Sequence, residues 1–520
     1  MPYNLEQNIQ INAEDVFRNR IRLFQKLMHK KVREILLVSS LYDFYLFEED
    51  GRLYEQIREE YQTLNLSWAP EITHVTTGEE AINLIQQEDN FDIIITTLHI
   101  EDMHVIKLAE KIRSIGYDTP IILLAYDNRE RKELVAQHDI SIFDRLFIWQ
   151  GDYRLLMGIV KYVEDRLNLD NDTQMVGVQS IILVEDNVKF YSSYLPLIYT
   201  EVFKQSQRLI LEGINITHKF LRMRARPKIL LCTTYEEAWD YFDKYEEFIL
   251  GIITDNNFRY HGVRDPEAGI KFAKNVKERQ NDIPILLQSS NAGYAEVAKS
   301  IGVSFLQKGS PRLLYNLRKF MLDNFGFGDF IFRLPDGSEV GRASNLKSLE
   351  EHLRIVPAES VVYHAERNHF SKWFKARTEF WLAHKLRPKK VSEFKTPDHL
   401  RQEILDSIRS YTEERTRGTI TEFNKELFDP INSFARVGRG SLGGKARGLG
   451  FINTMINSQK IRFKFEDVEI SVPSAVVIAT DVFDQFLEEN HLESFAYQEV
   501  DDKELLNKFI DAKKFPFEII

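Results

Sequence analysis

Two stretches of the chain alternate short, solid apolar runs with helix-like segments, and this pattern constrains the fold more than any other feature. The first stretch has four such runs, at 35–38, 93–95, 121–124 and 146–148. The second has five, at 181–184, 229–231, 252–253, 285–287 and 305–306. Runs of this length are typical of strands buried on both faces of a parallel sheet. Their alternation with amphipathic segments predicts two doubly wound α/β units in tandem, related by domain duplication.

Composition narrows the class of protein and its surroundings. A chain of 520 residues is long enough for about three or four domains. Its formal charge of −11 argues against broad nucleic-acid binding. A single cysteine, Cys232, cannot form an internal disulfide and indicates a reducing compartment. The start resembles no signal peptide, and no apolar stretch of about 18 residues is present. We therefore predict a cytoplasmic protein with no membrane or nucleic-acid partner.

Changes in pattern divide the chain into five parts. We place an N-terminal helical extension at 1–32, the first α/β unit at 33–170, the second at 176–326, a helical connector at 327–417, and a glycine-containing C-terminal part at 418–520. A turn at Asp336-Gly337 predicts a short hairpin at the start of the connector. Basic residues outnumber acidic ones in this part, which favours a solvated or docking face. Its aromatic residues, such as Trp373 and Phe374, predict a small helical core, and His364 is interpreted as a structural histidine.

Polar side chains follow the apolar runs of the second unit. Glu185 and Asp186 come after the first run, Asp255 after the third, Ser289 after the fourth and Lys308 after the fifth. Because the carboxyl ends of parallel strands meet at one edge of a sheet, these groups are expected to converge. A cluster of carboxylates needs a cation, and an all-oxygen donor set suits Mg²⁺. One carboxylate could then attack phosphorus, while a lysine and the metal offset the charge of the phosphoryl group. The alternative is a chance cluster of acids at strand ends.

These segments resemble the receiver domain of two-component response regulators, which has a flavodoxin-like fold. The resemblance rests on VEDN (184–187), the Asp255 strand, ILLQSS (285–290) and SFLQKG (304–309). It implies the following roles: Asp255 is the phosphoacceptor, Mg²⁺ binds Glu185, Asp186, Asp255 and the Asn257 backbone carbonyl, Ser289 and Phe305 are the switch residues, and Lys308 contacts the phosphate. It also implies a sensor histidine kinase or phosphotransfer protein as partner, and a homodimer through the receiver domains. The sequence departs from the family at Gly309, where proline is usual, and in an expanded loop at 256–266.

The first unit lacks the same chemistry. The position that matches the phosphoacceptor is Thr97, the switch position is Ala125, and the lysine position is Ile148. Ser39 and Ser40 stand where the metal-binding acids would be. The unit therefore resembles a degenerate receiver, kept for docking or dimerisation. A register shift could bring other acids to a metal site, and these are Asp43, Glu101 and Asp102.

A glycine-rich segment, GRGSLGGKARGLG, occupies residues 438–450. It matches neither a phosphate-binding P-loop nor a dinucleotide fingerprint in its expected context, and a purely structural loop is one interpretation. Together with SVPSAVVIATDVFDQFLEEN (471–490), the segment GGKARGLGFIN (443–453) resembles the opening of the nucleotide-binding domain of phosphoenolpyruvate synthase and pyruvate phosphate dikinase, an ATP-grasp-like lobe. The resemblance implies that Gly443 and Gly444 admit an ATP phosphate and that Lys445 contacts it.

Three functions remain in view. The preferred one is a phosphorelay protein in which phosphorylation of Asp255 regulates an attached dikinase-like ATP-binding module. The chain stops before the family's phosphate-binding arginines, so an ATP-dependent phosphotransferase is expected only if the chain is part of a longer one. The alternative is a non-catalytic adaptor or scaffold that works by protein–protein docking.

Overall fold

A computed structural model describes residues 26–48, 53–64, 66, 69–88, 90–126, 128–211, 222–387, 393–416, 420–423, 425, 428, 434–458, 461, 464–465, 468, 470–496 and 501–516. Most of the predicted N-terminal helical extension, residues 1–25, lies outside this description. The part that is described, 26–32, forms a turn and an extended segment. There Leu27 is buried, and the backbone N–H of Met28 donates to the Asp172 carboxylate at 3.1 Å.

The first unit is a five-stranded parallel sheet with helices on both faces. Its strands are β1 (Glu34–Val38), β2 (Glu71–Val75), β3 (Ile93–Thr97), β4 (Ile121–Ala125) and β5 (Arg145–Ile148). Its helices are α1 (Leu41–Glu48), α2 (Leu53–Thr63), α3 (Gly78–Glu88), α4 (Val105–Ser114) and α5 (Asn128–Gln137). The order β2-β1-β3-β4-β5 is the flavodoxin-like order, which confirms the predicted fold class. The strand β2 had no matching apolar run, because it lies at the sheet edge and only Val75 is fully buried.

The second unit repeats this topology. Its sheet contains β6 (Ser180–Val184), β7 (Lys228–Cys232), β8 (Ile249–Asp255), β11 (Ile285–Ser289) and β12 (Ser304–Gln307), in the order β12-β11-β8-β6-β7. Between β8 and β11 the chain forms a two-stranded hairpin of β9 (Phe258–Tyr260) and β10 (Val263–Asp265). The helices are α6 (Arg154–Val176), which leads in from the first unit, α7 (Val188–Leu211), α8 (Tyr235–Tyr245), α9 (Ala268–Arg279), α10 (Tyr294–Ser300) and α11 (Leu313–Asn324). All five predicted runs form the five strands.

The two units share one apolar core at their joint. Helix α7 of the second unit packs on strand β5 of the first, where the Ser192 hydroxyl accepts a hydrogen bond from the Ile148 N–H at 3.0 Å. Helix α6 carries buried acids into the joint. Asp172 pairs with Lys228 at 2.7 Å, and Asp165 pairs with Arg226 at 2.8 Å. Removing one partner of such buried pairs is costly, so they fix helix α6 against the start of strand β7.

The connector begins with the predicted hairpin, formed by β13 (Phe330–Arg333) and β14 (Glu339–Ala343). Its helices are α12 (Leu346–Ile355), α13 (Ala358–Glu366), α14 (His369–Ala376), α15 (Phe380–Leu386) and α16 (Pro397–Thr416). Trp373 and Phe374 are buried in its core, as predicted.

His364 of the connector is also buried, and its Nε2 accepts a hydrogen bond from the Arg333 N–H at 2.8 Å, which fits the structural interpretation. The basic side chain of Lys375 donates to the Glu247 carbonyl of the second unit at 2.6 Å.

The last part contains a small parallel sheet of β15 (Thr421–Glu422), β16 (Phe434–Val437) and β17 (Ala475–Ile478). Helices α17 (Gly443–Ser458), α18 (Thr480–Glu489), α19 (Glu493–Ala496) and α20 (Asp502–Ile510) accompany it. Among the described residues, no helix combines the length and apolar character needed to cross a membrane.

Candidate functional site

The functional side chains predicted in the second unit lie at the carboxyl edge of its sheet. Glu185 and Asp186 directly follow β6, and Asp255 is the last residue of β8. Ser289 ends β11, and Lys308 follows β12. The strands run parallel, so their register places all of these positions at the same edge. One oxygen from each of Glu185, Asp186 and Asp255 lies within 4.8 Å of the others. The structure therefore brings together what the sequence placed far apart.

Lys308 lies between two of the acids. Its Nζ is 2.6 Å from Glu185 Oε2 and 3.0 Å from Asp255 Oδ1. The Lys308 and Glu185 side chains are almost fully buried, with 5% and 1% of their surface exposed. The ammonium also lies 4.4 Å from the centre of the Phe190 ring, a cation–π contact that the sequence did not indicate. A single buried cation thus neutralises part of the charge of the acid cluster.

Asp186 is held by an arginine from the β9–β10 hairpin. The Arg264 guanidinium lies 3.1 Å from Asp186 Oδ2, and its Nε donates to the side-chain oxygen of Asn257 at 3.2 Å. Sequence reasoning missed Arg264, because it lies in the loop at 256–266 that showed only as an expansion. Asn257, whose backbone carbonyl is the predicted further metal ligand, is exposed beside this arginine.

The backbone around Asp255 is tightly constrained. The Asp255 carboxylate accepts a hydrogen bond from the Asn256 N–H at 2.8 Å. The Asn256 side chain accepts one from Ile270 N–H at 3.2 Å, which ties the loop to helix α9. A Cβ on Gly269 would lie 2.1 Å from the Asp255 carbonyl oxygen, so only glycine allows α9 to approach this closely. The position of Asp255 is fixed by these neighbours.

The two predicted switch residues flank the acids. Ser289 is 7% exposed, and its hydroxyl accepts a hydrogen bond from the Asn291 N–H at 3.2 Å. Phe305, on β12, is half-buried against the core of the second unit. Both lie on strands whose carboxyl ends meet at the edge that carries the acid cluster.

Burial disfavours the ionised form of the acids in this cluster. Burial raises the pKa of Glu185 to about 8, and the charge of Asp255 adds to this while Lys308 opposes it. Burial also raises the pKa of Asp186, against the opposing charge of Arg264. A divalent cation would relieve both costs, because it stabilises the ionised carboxylates. Three carboxylates this close together provide the hard oxygen donors that Mg²⁺ prefers, so the residues present fit this metal.

The matching edge of the first unit is built differently. Thr97, Ala125 and Ile148 end β3, β4 and β5 there and are all buried. Asp43 is buried, with Oδ2 at 3.8 Å from His99 Nδ1. The Asp102 carboxylate instead caps helix α3, where it accepts from the Gly78 N–H at 2.7 Å. Within the described part of the chain, only the second unit brings three acidic, histidine or cysteine side chains close enough to share a metal ion.

The glycine-rich segment is pinned to helix α18. The Arg439 N–H donates to the Asp481 carboxylate at 2.6 Å, and the Ser441 N–H donates to the Thr480 hydroxyl at 2.9 Å. Helix α17 then begins at Gly443, so Gly443, Gly444 and Lys445 form its first turn rather than a free loop. A Cβ added to Gly443 or Gly444 would meet no other part of the described chain within 4 Å, and Lys445 is exposed.

Comparison with known proteins gives structural matches alone. Neither a protein-family model nor a curated protein sequence matches this chain. A signal receiver domain from Vibrio parahaemolyticus is 19% identical, with a TM-score of 0.21, and the match covers 27% of this chain and 96% of that one. The receiver domain of a Francisella response regulator is 18% identical, with a TM-score of 0.20, and covers 26% of this chain and 98% of that one. A protein described as a two-component system response regulator/GGDEF domain protein is 13% identical, with a TM-score of 0.25, over 56% of this chain and 98% of its own.

Proposed function

We propose that the second α/β unit is a phosphoacceptor receiver and that Asp255 takes up the phosphoryl group. The observation that carries this proposal is the position of Lys308, whose ammonium contacts both Glu185 and Asp255 inside a cluster of three carboxylates. A lysine beside a carboxylate at a metal-compatible edge is suited to phosphoryl transfer, because catalysis of this step depends on positioning and charge neutralisation. On this basis the protein is a two-component response regulator.

The transfer needs little covalent chemistry from the protein. An Asp255 carboxylate oxygen attacks the phosphorus of a phosphohistidine, the P–N bond breaks, and the imidazole leaves with a proton from solvent. The product is an acyl phosphate on Asp255. Lys308 would neutralise one phosphoryl oxygen, and the Ser289 hydroxyl would donate a hydrogen bond to another. Glu185, Asp186, Asp255 and the Asn257 carbonyl would hold Mg²⁺, which supplies positive charge to the phosphoryl oxygens when bound.

The other parts complete the proposal. The first unit serves as a docking or dimerisation module, since it shares the fold but not the acid cluster. A sensor histidine kinase or phosphotransfer protein supplies the phosphoryl group. The part at 418–520 is the ATP-binding output module, supported by the resemblance at 443–490 and by the open first turn of α17. Loss of ATP binding in Lys445→Ala tests this last element, with Lys464→Ala as a control for loss of one exposed charge.

Labelling of the whole chain by acetyl phosphate tests the receiver assignment. We expect Mg²⁺-dependent incorporation of a phosphoryl group that is stable in acid and labile in base. Asp255→Asn should lower it at least about 100-fold, because the nucleophile is lost. Asp43→Asn, which changes a buried acid of the first unit in the same way, should leave labelling unchanged.

Two results would contradict the assignment. One is labelling of Asp255→Asn at the wild-type level. The other is no labelling of the wild type by either acetyl phosphate or a phosphorylated histidine donor. If Asp255→Ala also left every protein–protein interaction unchanged, the scaffold alternative would be favoured.

A further inference from the structure

The β9–β10 hairpin places a second positive charge against the acid cluster. It begins three residues after Asp255, and its turn, at His261 and Gly262, has left-handed φ angles of 51° and 75°. Phe258 is fully buried, and the Tyr260 ring lies 4.4 Å from that of Tyr235. The hairpin therefore packs on helix α8 of the second unit. This packing fixes the backbone position of the residues on β10.

From this hairpin a single nitrogen of Arg264 contacts both carboxylate oxygens of Asp186. Its Nη2 is 3.1 Å from Asp186 Oδ2 and 3.3 Å from Oδ1, while its Nε contacts the Asn257 side chain. Asp186 retains 18% of its side-chain exposure and Arg264 61%. The pair thus joins an acid at the edge of the cluster to an arginine that is largely exposed to water.

We propose that Arg264 is a built-in competitor of the divalent cation at Asp186. This inference rests on the proposed metal site of the second unit. The Asp186 oxygens that the metal needs are the ones that the guanidinium contacts, so uptake of the metal requires the Arg264 pair to break. In addition, the arginine charge repels a divalent cation at short range. Arg264 therefore sets the Mg²⁺ concentration at which the acid cluster fills, and hence the concentration at which Asp255 becomes ready to accept a phosphoryl group.

The competing charge and the competing contact can be separated by substitution. Arg264→Gln removes both, and a partly exposed ion pair is worth enough that Mg²⁺ should bind roughly fivefold more tightly. Arg264→Lys keeps the charge but loses the Nε contact with Asn257 that orients the side chain, so its affinity for Mg²⁺ should fall between wild type and Arg264→Gln. The matched comparison is Arg259→Gln on β9 of the same hairpin, an exposed arginine whose charge also acts on Asp186 but less strongly than that of Arg264. Its substitution should therefore tighten Mg²⁺ binding less than Arg264→Gln.

Isothermal titration of the full chain with MgCl₂ alone measures the effect, with Asp255→Asn defining heat from other sites. Binding that is clearly tighter in Arg264→Gln than in both Arg259→Gln and wild type supports the proposal. Equal or weaker binding in Arg264→Gln overturns it, and leaves the receiver assignment standing as long as the wild type binds Mg²⁺ at the Asp255-dependent site. Absence of Asp255-dependent binding in every variant overturns both this inference and the proposed metal site.

A second readout covers the case in which Arg264 also supports the local fold. Without metal, Arg264→Gln should unfold at a slightly lower midpoint than wild type, because the Arg264–Asp186 pair is lost. Saturating Mg²⁺ should raise the midpoint more in the variant than in wild type. A midpoint that rises equally in both proteins contradicts the competition.

Discussion

The two α/β units have the same strand order but end their strands in different side chains. In the second unit Glu185, Asp255 and Lys308 meet at the carboxyl edge, whereas the first unit has Thr97 and Ile148 at the equivalent strand ends. Both sheets keep the solid apolar strands that the fold requires. The difference teaches that the flavodoxin-like fold needs only the strand interiors, and that a few residues just beyond them decide whether it can carry phosphoryl chemistry.

The costs of the two edges also differ. The second unit buries Glu185, Asp255 and Lys308 at its edge and half-buries Asp186. The first unit ends its strands in buried Thr97, Ala125 and Ile148 and buries the acid Asp43 beside them. Buried charges are expensive unless they are paired, so the second arrangement is less favourable for folding than the mostly apolar first one. The second edge should therefore respond to pH and to Mg²⁺ in ways that the first does not.

The largest expected difference is in the pH dependence of stability without metal. The folded pKa of Glu185 is about 8, against an ordinary value of 4.5, with Asp255 and Lys308 facing it. Between these two values the folded chain keeps a proton that the unfolded chain releases, so this group's contribution to stability falls as pH rises. From pH 5 to pH 8 the fall should be on the order of a few kcal/mol. Urea denaturation of wild type and Glu185→Gln at both pH values measures it.

Mg²⁺ and the first unit sharpen this test. Saturating Mg²⁺ should remove most of the slope due to Glu185, because the metal stabilises the ionised form. Burial also raises the pKa of Asp43, so Asp43→Asn should remove a slope of the same sign that Mg²⁺ does not affect. If the unfolding free energy has the same slope against pH in wild type and Glu185→Gln, burial of the Glu185 carboxyl does not destabilise its ionised form.

The next largest effect concerns the lysine position of each unit. Lys308→Met leaves the buried Asp255 carboxylate without its cation and Glu185 without its hydrogen-bond donor, and should cost about 3 kcal/mol of unfolding free energy at pH 7. Ile148→Met, at the matching position of the first unit, is a volume-conserving change and should cost less than about 1.5 kcal/mol. Mg²⁺ should restore stability to Lys308→Met and not to Ile148→Met. Equal costs in the two variants would contradict the role of Lys308 as the countercharge.

Sequence reasoning recovered the positions that depend on strand order. The five apolar runs of the second unit became its five strands, and parallel strands carry their carboxyl ends to one edge, so the convergence of Glu185, Asp255 and Lys308 could be foreseen. Strand β2 could not be found in this way, because an edge strand is only partly buried and its sequence, Glu71–Val75, shows no solid apolar run.

The contacts made by irregular segments could not be predicted from the sequence. The β9–β10 hairpin has strands of three residues each, and it is held by the burial of Phe258 and the packing of Tyr260 rather than by a repeating pattern. Arg264 reaches Asp186 because of this hairpin, across 78 positions of the chain. Such a contact depends on the tertiary path of a loop, which local propensity does not encode.

The smallest expected effect is that of the hydroxyl at the switch position, where the two units differ by a single oxygen. Ser289→Ala removes an acceptor for the Asn291 N–H and a donor for the phosphoryl group. Loss of one hydrogen bond worth about 1 kcal/mol should slow labelling by acetyl phosphate roughly fivefold. Ser289→Thr keeps the hydroxyl and should label at nearly the wild-type rate. The first unit already has alanine at this position, and Ala125→Ser should leave labelling unchanged, because a hydroxyl there has no phosphoryl group to contact. If Ser289→Ala labels as fast as wild type, the hydroxyl takes no part in the transfer, and the chemical difference between the two edges reduces to the acids and the lysine.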